Sequence, residues 1–279
     1  MSPTLDLTDP LAAHHYMVAM RILHDLPTFA WYDSCFLAKF EAACRMLEIL
    51  APERLEAFTD AFAPLHTRAD FEVRRVSTVL APERFTDLLA HVSTLEPGSL
   101  KSHEQGLFGR SIRHDLPILT ALQKELTPLV SRLAGEVVEP CYNFLSLYHG
   151  DGRCPPHLDA PSAKWTLDVC LAQSCEWPIH FSRPGPWPRA TEIALGLPKP
   201  AYESHVLRPN DAILFSGSAQ WHYRDAIPDG GFCHLAFLHY HPAGCNDLVD
   251  PNRWAAYFDL PALDVLIATF DALHPDRRE

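Results

Sequence analysis

The second half of the chain is broken into short apolar runs, and this pattern constrains the fold more than any other feature. From Pro140 onward, runs of aliphatic and aromatic residues alternate with segments that contain Pro and Gly. Such spacing favours antiparallel strands joined by turns, packed as a sandwich or barrel, over a sheet in which strands and helices alternate. The runs cover residues 142–148, 165–171, 205–207, 212–215, 221–223 and 233–240.

The remaining sequence carries the apolar periodicity of helices. Pro117 suits the first turn of the most regular of these helices, whereas 106–113 reads as a loop. The segments with helical periodicity are 10–26, 36–50, 53–62, 81–95, 115–133 and 251–273. We therefore predict an α+β fold with a helical N-terminal region at 1–135 packed on a β-rich core at 136–245, followed by a C-terminal helical segment at 246–279.

Charge and hydropathy exclude several classes of partner. The chain has 23 Lys and Arg against 35 Asp and Glu, a formal net charge of −12. Affinity for nucleic acid depends largely on Lys and Arg at phosphates, so a nucleic acid partner is not expected. The sequence contains no apolar run of 18 residues and no basic segment followed by an apolar core at its start. We expect a cytoplasmic protein that does not bind membranes.

One short segment carries the residue types of a metal site. His157 and Asp159 stand two positions apart, and side chains at that spacing on an extended chain point to the same side. An imidazole and a carboxylate can then reach one cation. His222 is the best third ligand, because it follows a turn and an apolar strand. The sequence predicts a metal site formed by these three residues.

Two histidines and one carboxylate leave coordination positions open on a metal ion. This set suits Fe(II), which must bind a chelating cosubstrate and dioxygen together. A catalytic zinc ion can use the same residue types. The identity of the ligands alone therefore leaves both metals open.

The sequence around these residues resembles a known family. Tyr148 lies nine residues before His157, and Gly150 lies between them. This segment resembles the Y-x-x-G-x5-H-x-D motif of prolyl-4-hydroxylase-like oxygenases that depend on Fe(II) and 2-oxoglutarate, although the glycine falls one position early. The segment around His222 is similar to the strand that carries the second histidine in bacterial members. The resemblance covers about residues 140–241.

The resemblance implies a double-stranded β-helix, or jelly roll, with iron held by His157, Asp159 and His222. It implies Fe(II) and 2-oxoglutarate as cofactors, and dioxygen as the oxidant. The reaction would be hydroxylation of an unactivated C–H bond in a small molecule, an amino acid or a peptide. Because a carboxylate is present at Asp159, hydroxylation is favoured over the halogenation catalysed by related proteins that have a small residue at this position.

The residue that would anchor the distal carboxylate of 2-oxoglutarate departs from the family pattern. The family places Arg or Lys about ten residues after the second histidine, and here that position is Phe232. Arg224 faces the same side of a strand as His222 and can hold a carboxylate through two hydrogen bonds, so it is the favoured anchor. Other candidates for cosubstrate binding are Tyr148, His234 and Lys164, and Arg110 could bind an acidic substrate.

Two other functions remain open from the sequence. One is a cupin-like metalloenzyme that uses the same ligands without 2-oxoglutarate, which the missing base near Phe232 favours. The other is a non-catalytic binding protein whose site has decayed. Retention of all three ligand types, His157, Asp159 and His222, argues against the second.

Overall fold

The computed structural model describes residues 8–26, 31, 34–228 and 230–274. The chain divides into two compact units. One is drawn from Met1–His66, Pro186–Lys199 and Gly244–Glu279, and the other from Thr67–Gly185 and Pro200–Ala243. Helices and antiparallel sheets are both present, so the predicted α+β class is confirmed. No helix in the described ranges is long and apolar enough to cross a bilayer.

The first unit is built from helices around an aromatic core. Phe36 and Phe62 each pack edge-on against Trp254, with ring centroids 5.3 Å apart in both pairs. Such edge-to-face packing adds to the stabilisation from burial of the rings. The helices are α1 (Pro10–Asp25), α2 (Cys35–Leu50), α3 (Pro52–Ala61), α7 (Ala190–Ala194), α8 (Asn246–Val249), α9 (Trp254–Phe258) and α10 (Ala262–Leu273).

The second unit contains two antiparallel sheets. The six-stranded sheet has the order β1-β8-β5-β10-β3-β2, and the four-stranded sheet has the order β4-β9-β6-β7. All the apolar runs in the second half of the sequence overlap observed strands. The strands are β1 (Arg74–Val76), β2 (Arg110–His114), β3 (Val138–Tyr148), β4 (Cys154–His157), β5 (Trp165–Gln173), β6 (Ile179–Phe181), β7 (Glu203–His205), β8 (Ala212–Ser216), β9 (His222–Arg224) and β10 (Cys233–Pro242).

Alternation along the strands gives the six-stranded sheet two apolar faces. On β5, Leu167 and Val169 point to a core cluster that includes Leu122 and Val130 of α6 (Pro117–Ala134). Cys170, on the opposite face of β5, belongs to a second cluster that contains side chains from both sheets. The helix predicted at 115–133 is confirmed as α6, which begins two residues later, at Pro117. Helix α4 (Pro82–Ser93) packs on the same face through Leu88.

The segment expected to be a loop at 106–113 is ordered differently. A short helix, α5 (Gln105–Phe108), leads into strand β2, which pairs with β3 at the edge of the sheet. Ile112 is buried, and the guanidinium of Arg110 is paired with Glu104. Arg110 and Arg113 made this segment look exposed in the sequence. The folded chain supplies Glu104 as the ion-pair partner of Arg110, and this pairing could not be seen from the local sequence.

Candidate metal centre

The two predicted histidines lie side by side on neighbouring strands of the four-stranded sheet. His157 is the last residue of β4 and His222 is the first residue of β9, and the register pairs these two positions directly. Their ring centroids are 4.1 Å apart. Asp159 follows two positions after His157, and its backbone N–H donates to the carbonyl of Gly217 at 2.9 Å. The structure therefore brings the three predicted side chains together.

The donor atoms of this triad are spaced like ligands of one ion. Nε2 of His157 and Nε2 of His222 each lie 3.6 Å from Oδ1 of Asp159, and the three ligand atoms all lie within 4.8 Å of one another. A separation of 3.6 Å is too long for a hydrogen bond. Ligand atoms about 2.1 Å from a shared ion are about 3.0–3.6 Å apart at bond angles of about 90–120°. The donor set therefore fits a single metal ion.

Hydrogen bonds to the backbone orient both imidazoles for metal binding. His157 Nδ1 donates to the carbonyl of Pro155, and His222 Nδ1 donates to the carbonyl of Gln220, each at 2.9 Å. A proton on Nδ1 leaves the lone pair on Nε2, which is how a neutral imidazole binds a metal. Both lone pairs are therefore available on the nitrogens nearest Asp159.

The turn between β8 and β9 passes directly against the Asp159 carboxylate. A Cβ at Gly217 would lie 2.1 Å from Oδ2 of Asp159, so this close approach requires glycine. Gln220, in the same turn, accepts from the N–H of Ser216 at 2.9 Å and donates to the carbonyl of Ser182 at 3.0 Å. These hydrogen bonds hold the turn in place, and they thereby position the backbone of His222 at the start of β9.

The electrostatics of the triad favour a bound cation. Burial opposes charge on Asp159, but His222 and His157 outweigh it and hold the pKa of Asp159 well below its usual range. Burial also lowers the pKa of His157, but the Cys154 thiol and Asp159 raise it well above its usual value. Burial and the neighbouring His157 lower the pKa of His222. The buried carboxylate is therefore ionised, and it attracts a cation to the space between it and the two rings. That cation can be a proton on one ring or a metal ion.

Arg224, the favoured anchor from the sequence, is buried and already paired. Its Nη2 donates to Oδ2 of Asp168 at 2.8 Å, and its Nη1 donates to the carbonyl of Trp177 at 2.6 Å. The guanidinium also lies over the Trp177 ring, 4.8 Å from its centroid. Both terminal amino groups of Arg224 are therefore engaged by the protein. Its role as an anchor stays a prediction.

The other predicted anchors occupy different environments. Lys164 donates to Oε1 of Glu136 at 2.6 Å. His234 lies on β10, where its ring contacts Phe232 with centroids 4.9 Å apart. Tyr148 is buried at the end of β3, in the apolar cluster shared by the two sheets. Of these three residues, only Tyr148 belongs to the apolar cluster that contains side chains from both sheets.

Arg110 lies on strand β2, not in the loop that the sequence predicts. It pairs with Tyr148 in the register of β2 and β3. Its Nε donates to Glu104, and its Nη1 donates to the Tyr148 hydroxyl at 2.8 Å. The guanidinium lies over the rings of Phe108 and Phe144, 4.4 and 5.2 Å from their centroids. Ile112 is the only apolar residue of β2 (Arg110–His114), so the local sequence lacks the alternation of polar and apolar residues that indicates a strand.

Comparisons with known proteins find similarity at the level of structure. No family model matches the chain, and no curated protein matches its sequence. The carbocyclase SnoK from nogalamycin biosynthesis, described as a non-haem, α-ketoglutarate-dependent enzyme, is 12% identical with a TM-score of 0.50, and the match covers 61% of this chain and 79% of SnoK.

Two further solved structures are similar over comparable lengths. The epimerase SnoN, from the same biosynthesis and also described as non-haem and α-ketoglutarate-dependent, is 16% identical with a TM-score of 0.48, covering 69% of this chain and 82% of SnoN. A prolyl-4-hydroxylase from Pseudomonas putida is 13% identical with a TM-score of 0.45, covering 63% of this chain and 95% of that protein. At these identities the similarity concerns the fold.

Proposed function

We propose that this protein is a non-haem Fe(II) oxygenase that uses 2-oxoglutarate as its cosubstrate. The observation that carries the proposal is the convergence of His157 Nε2, His222 Nε2 and Asp159 Oδ1 on one point. Two imidazoles and one carboxylate on one side of an ion form the ligand set of non-haem Fe(II) oxygenases, which leaves positions for a chelating cosubstrate and dioxygen.

The order of the strands supports this proposal. Along the chain, β3, β5, β8 and β10 belong to the six-stranded sheet, whereas β4, β6, β7 and β9 belong to the four-stranded sheet. Eight antiparallel strands distributed in this way over two sheets support a double-stranded β-helix, or jelly roll, as the core. SnoK has a similar fold, and its description as α-ketoglutarate-dependent supports the same cosubstrate for this chain.

The residues of the chain would divide the work as follows. His157, Asp159 and His222 would hold Fe(II), which, with 2-oxoglutarate and dioxygen bound, supplies the oxidation of an unactivated C–H bond. The protein contributes the placement of the ligands, of which Asp159 and His222 are buried. We propose hydroxylation of a small molecule, an amino acid or a peptide as the reaction.

The cosubstrate can be tested without knowing the substrate. Under anaerobic conditions, 2-oxoglutarate added to the Fe(II)-loaded protein is expected to produce a visible charge-transfer band, because the 2-oxo acid chelates the metal. Admission of air is then expected to yield succinate, even if slowly. Iron binding with no band and no succinate would contradict the proposal and favour a cupin-like metalloenzyme that does not use 2-oxoglutarate.

We propose Arg110 and Tyr148 as the anchor for the distal carboxylate. Arg110 is 11% exposed, and its Nη2 makes no hydrogen bond with the described residues. The Tyr148 oxygen accepts from Arg110, so its own hydrogen remains to be donated. Burial raises the pKa of Tyr148, which keeps this hydroxyl protonated. Together they offer an N–H and an O–H to one carboxylate, and the N–H donor is itself charged.

This anchor lies near the triad. The Cys154 thiol is 3.8 Å from Nδ1 of His157. Burial raises the pKa of this thiol, but His157 and then the charges of Arg110 and Arg224 lower it. Both guanidinium groups therefore lie near enough to this thiol for their charges to act on it, and the thiol itself contacts His157. Only Arg110 has an amino group without a described partner, which is why we prefer it to Arg224.

Replacement of Arg110 is expected to weaken 2-oxoglutarate binding selectively. In Arg110→Gln, loss of a charge-assisted hydrogen bond should raise the Kd for 2-oxoglutarate about 10- to 100-fold, measured through the anaerobic band, while metal affinity stays within about threefold. Arg110→Lys keeps the charge and should fall between. The matched control is Arg113→Gln on the same strand, where Arg113 Nη1 donates to the carbonyl of Ser99 at 2.6 Å. Equal losses in the Arg110 and Arg113 variants would contradict the assignment.

A further inference from the structure

We infer that Thr166 and His239 are positioning residues that determine which oxygen of Asp159 faces the metal. The inference rests on the proposed function, because it assigns a role to groups behind the proposed iron ligand. Neither residue was predicted from the sequence to take part in the metal site.

The two oxygens of Asp159 have different partners. Oδ1 is 3.6 Å from Nε2 of both His157 and His222. Oδ2 instead accepts a hydrogen bond from the hydroxyl of Thr166 at 3.0 Å. The carboxylate therefore presents one oxygen to the site and keeps the other bound to the sheet behind it.

The hydrogen bonds run in one direction from His239 to the carboxylate. An ionised carboxylate only accepts, so the Thr166 hydrogen points to Asp159. The Thr166 oxygen must then accept from Nδ1 of His239, 3.0 Å away. This places the His239 proton on Nδ1 and leaves Nε2, which is buried and has no partner among the described residues, as a bare acceptor. The Nδ1–H of His239 thus donates to Oγ1 of Thr166, and the hydroxyl of Thr166 donates to Oδ2 of Asp159.

The fold holds His239 firmly in this orientation. His239 on β10 stands opposite Thr166 on β5 in the antiparallel register. Its ring stacks on Tyr142, with centroids 4.2 Å apart and an angle of 28° between the planes, and its backbone carbonyl accepts from Gln123 at 2.6 Å. Burial lowers the pKa of His239 to about 4. The ring therefore stays neutral and adds no positive charge that would compete with a metal.

This arrangement matters because a carboxylate can bind a metal through one oxygen or through two. Two-oxygen binding would occupy a position that the cosubstrate or dioxygen needs. A hydroxyl that keeps Oδ2 engaged favours binding through Oδ1 alone. Loss of a hydrogen-bond partner behind a metal ligand commonly lowers metal affinity or activity by about 10- to 100-fold.

The test compares Thr166→Val, which keeps the shape without the hydroxyl, with Thr166→Ser, which keeps the hydroxyl. Co(II) is the probe, measured by calorimetric titration and by its visible absorption, whose intensity reports the number of ligands. We expect Thr166→Val to weaken Co(II) binding about 10- to 100-fold and to change the visible spectrum. Thr166→Ser should restore both. His239→Phe, which keeps a stacked ring but lacks Nδ1–H, should change the spectrum in the same direction.

Ser146→Ala is the matched control. Ser146 is fully buried on β3, and its hydroxyl has no partner among the described residues, so its loss should leave Co(II) affinity and spectrum unchanged. Circular dichroism checks that every variant is folded. Wild-type affinity and spectrum in folded Thr166→Val, or equal defects in the Val and Ser variants, would overturn the inference.

The outcomes separate this inference from the proposed function. All measurements use Co(II) without 2-oxoglutarate, so a protein that binds metal but shows no cosubstrate band still tests the role of Thr166. If the wild-type protein does not bind Co(II), both the metal site and the inference are overturned. If it binds Co(II) and only the Thr166 result fails, the proposed function stands.

Discussion

Replacing Asp159 with alanine is expected to abolish 2-oxoglutarate turnover and to weaken metal binding by more than 100-fold. The change removes the only anionic ligand and leaves two neutral imidazoles, His157 and His222, 4.1 Å apart by their centroids. Loss of a partner behind a ligand already costs about 10- to 100-fold, so loss of the ligand itself should exceed that range. Calorimetric titration with Ni(II) and measurement of succinate with Fe(II) check the two expectations separately.

Asp225→Ala is the appropriate control for this prediction. Asp225 lies three residues after His222, and its side chain is 78% exposed, with one carboxylate oxygen 3.4 Å from Nε2 of His180. Removing this carboxylate changes the net charge by the same amount as the Asp159 variant does, but at the surface. Metal affinity and turnover should therefore stay close to wild type. An Asp159→Ala protein that still binds Ni(II) as the control does would rule out the triad as the metal site.

The proximity of His157, Asp159 and His222 could be predicted, in part because the first two are close in sequence. His157 and Asp159 are two residues apart on extended chain, and this spacing alone brings them to one side. His222 could be placed because its surroundings have the turn and the apolar strand that a jelly roll needs. The regular helix α6 was predictable for the same kind of reason, since its apolar residues repeat at helical spacing.

The partners of charged side chains could not be predicted, because they come from distant parts of the sequence. Arg224 was expected to face the same side of a strand as His222, and both are buried. Its partner Asp168 lies 56 residues earlier in the chain, on β5 of the other sheet. Arg110 was assigned to a loop, since nothing in the local sequence shows that Glu104 and Tyr148 would receive its guanidinium.

Removal of the Arg224 guanidinium is expected to destabilise the fold strongly. Asp168 is fully buried, and its Oδ1 has no partner among the described residues, so its charge depends on Arg224. Breaking a buried ion pair by removing one partner costs about 3–5 kcal/mol, because an uncompensated charge remains inside the protein. Arg224→Gln should therefore lower the free energy of unfolding by about this amount, measured by denaturation in urea. The exposed pair of Arg253 and Asp247 provides a control, because a solvent-exposed ion pair contributes little to stability and Arg253→Gln should leave the urea midpoint close to that of the wild type.

The double variant Asp168→Asn/Arg224→Gln then decides what Arg224 does. Replacing both members of a buried pair by neutral groups is far less costly than replacing one, so most of the lost stability should return. If Arg110 holds the cosubstrate, the double variant should also bind 2-oxoglutarate nearly as well as wild type, because the buried charge that repels a carboxylate is gone. A stable double variant that still fails to bind 2-oxoglutarate, while binding metal normally, would instead identify Arg224 as the anchor.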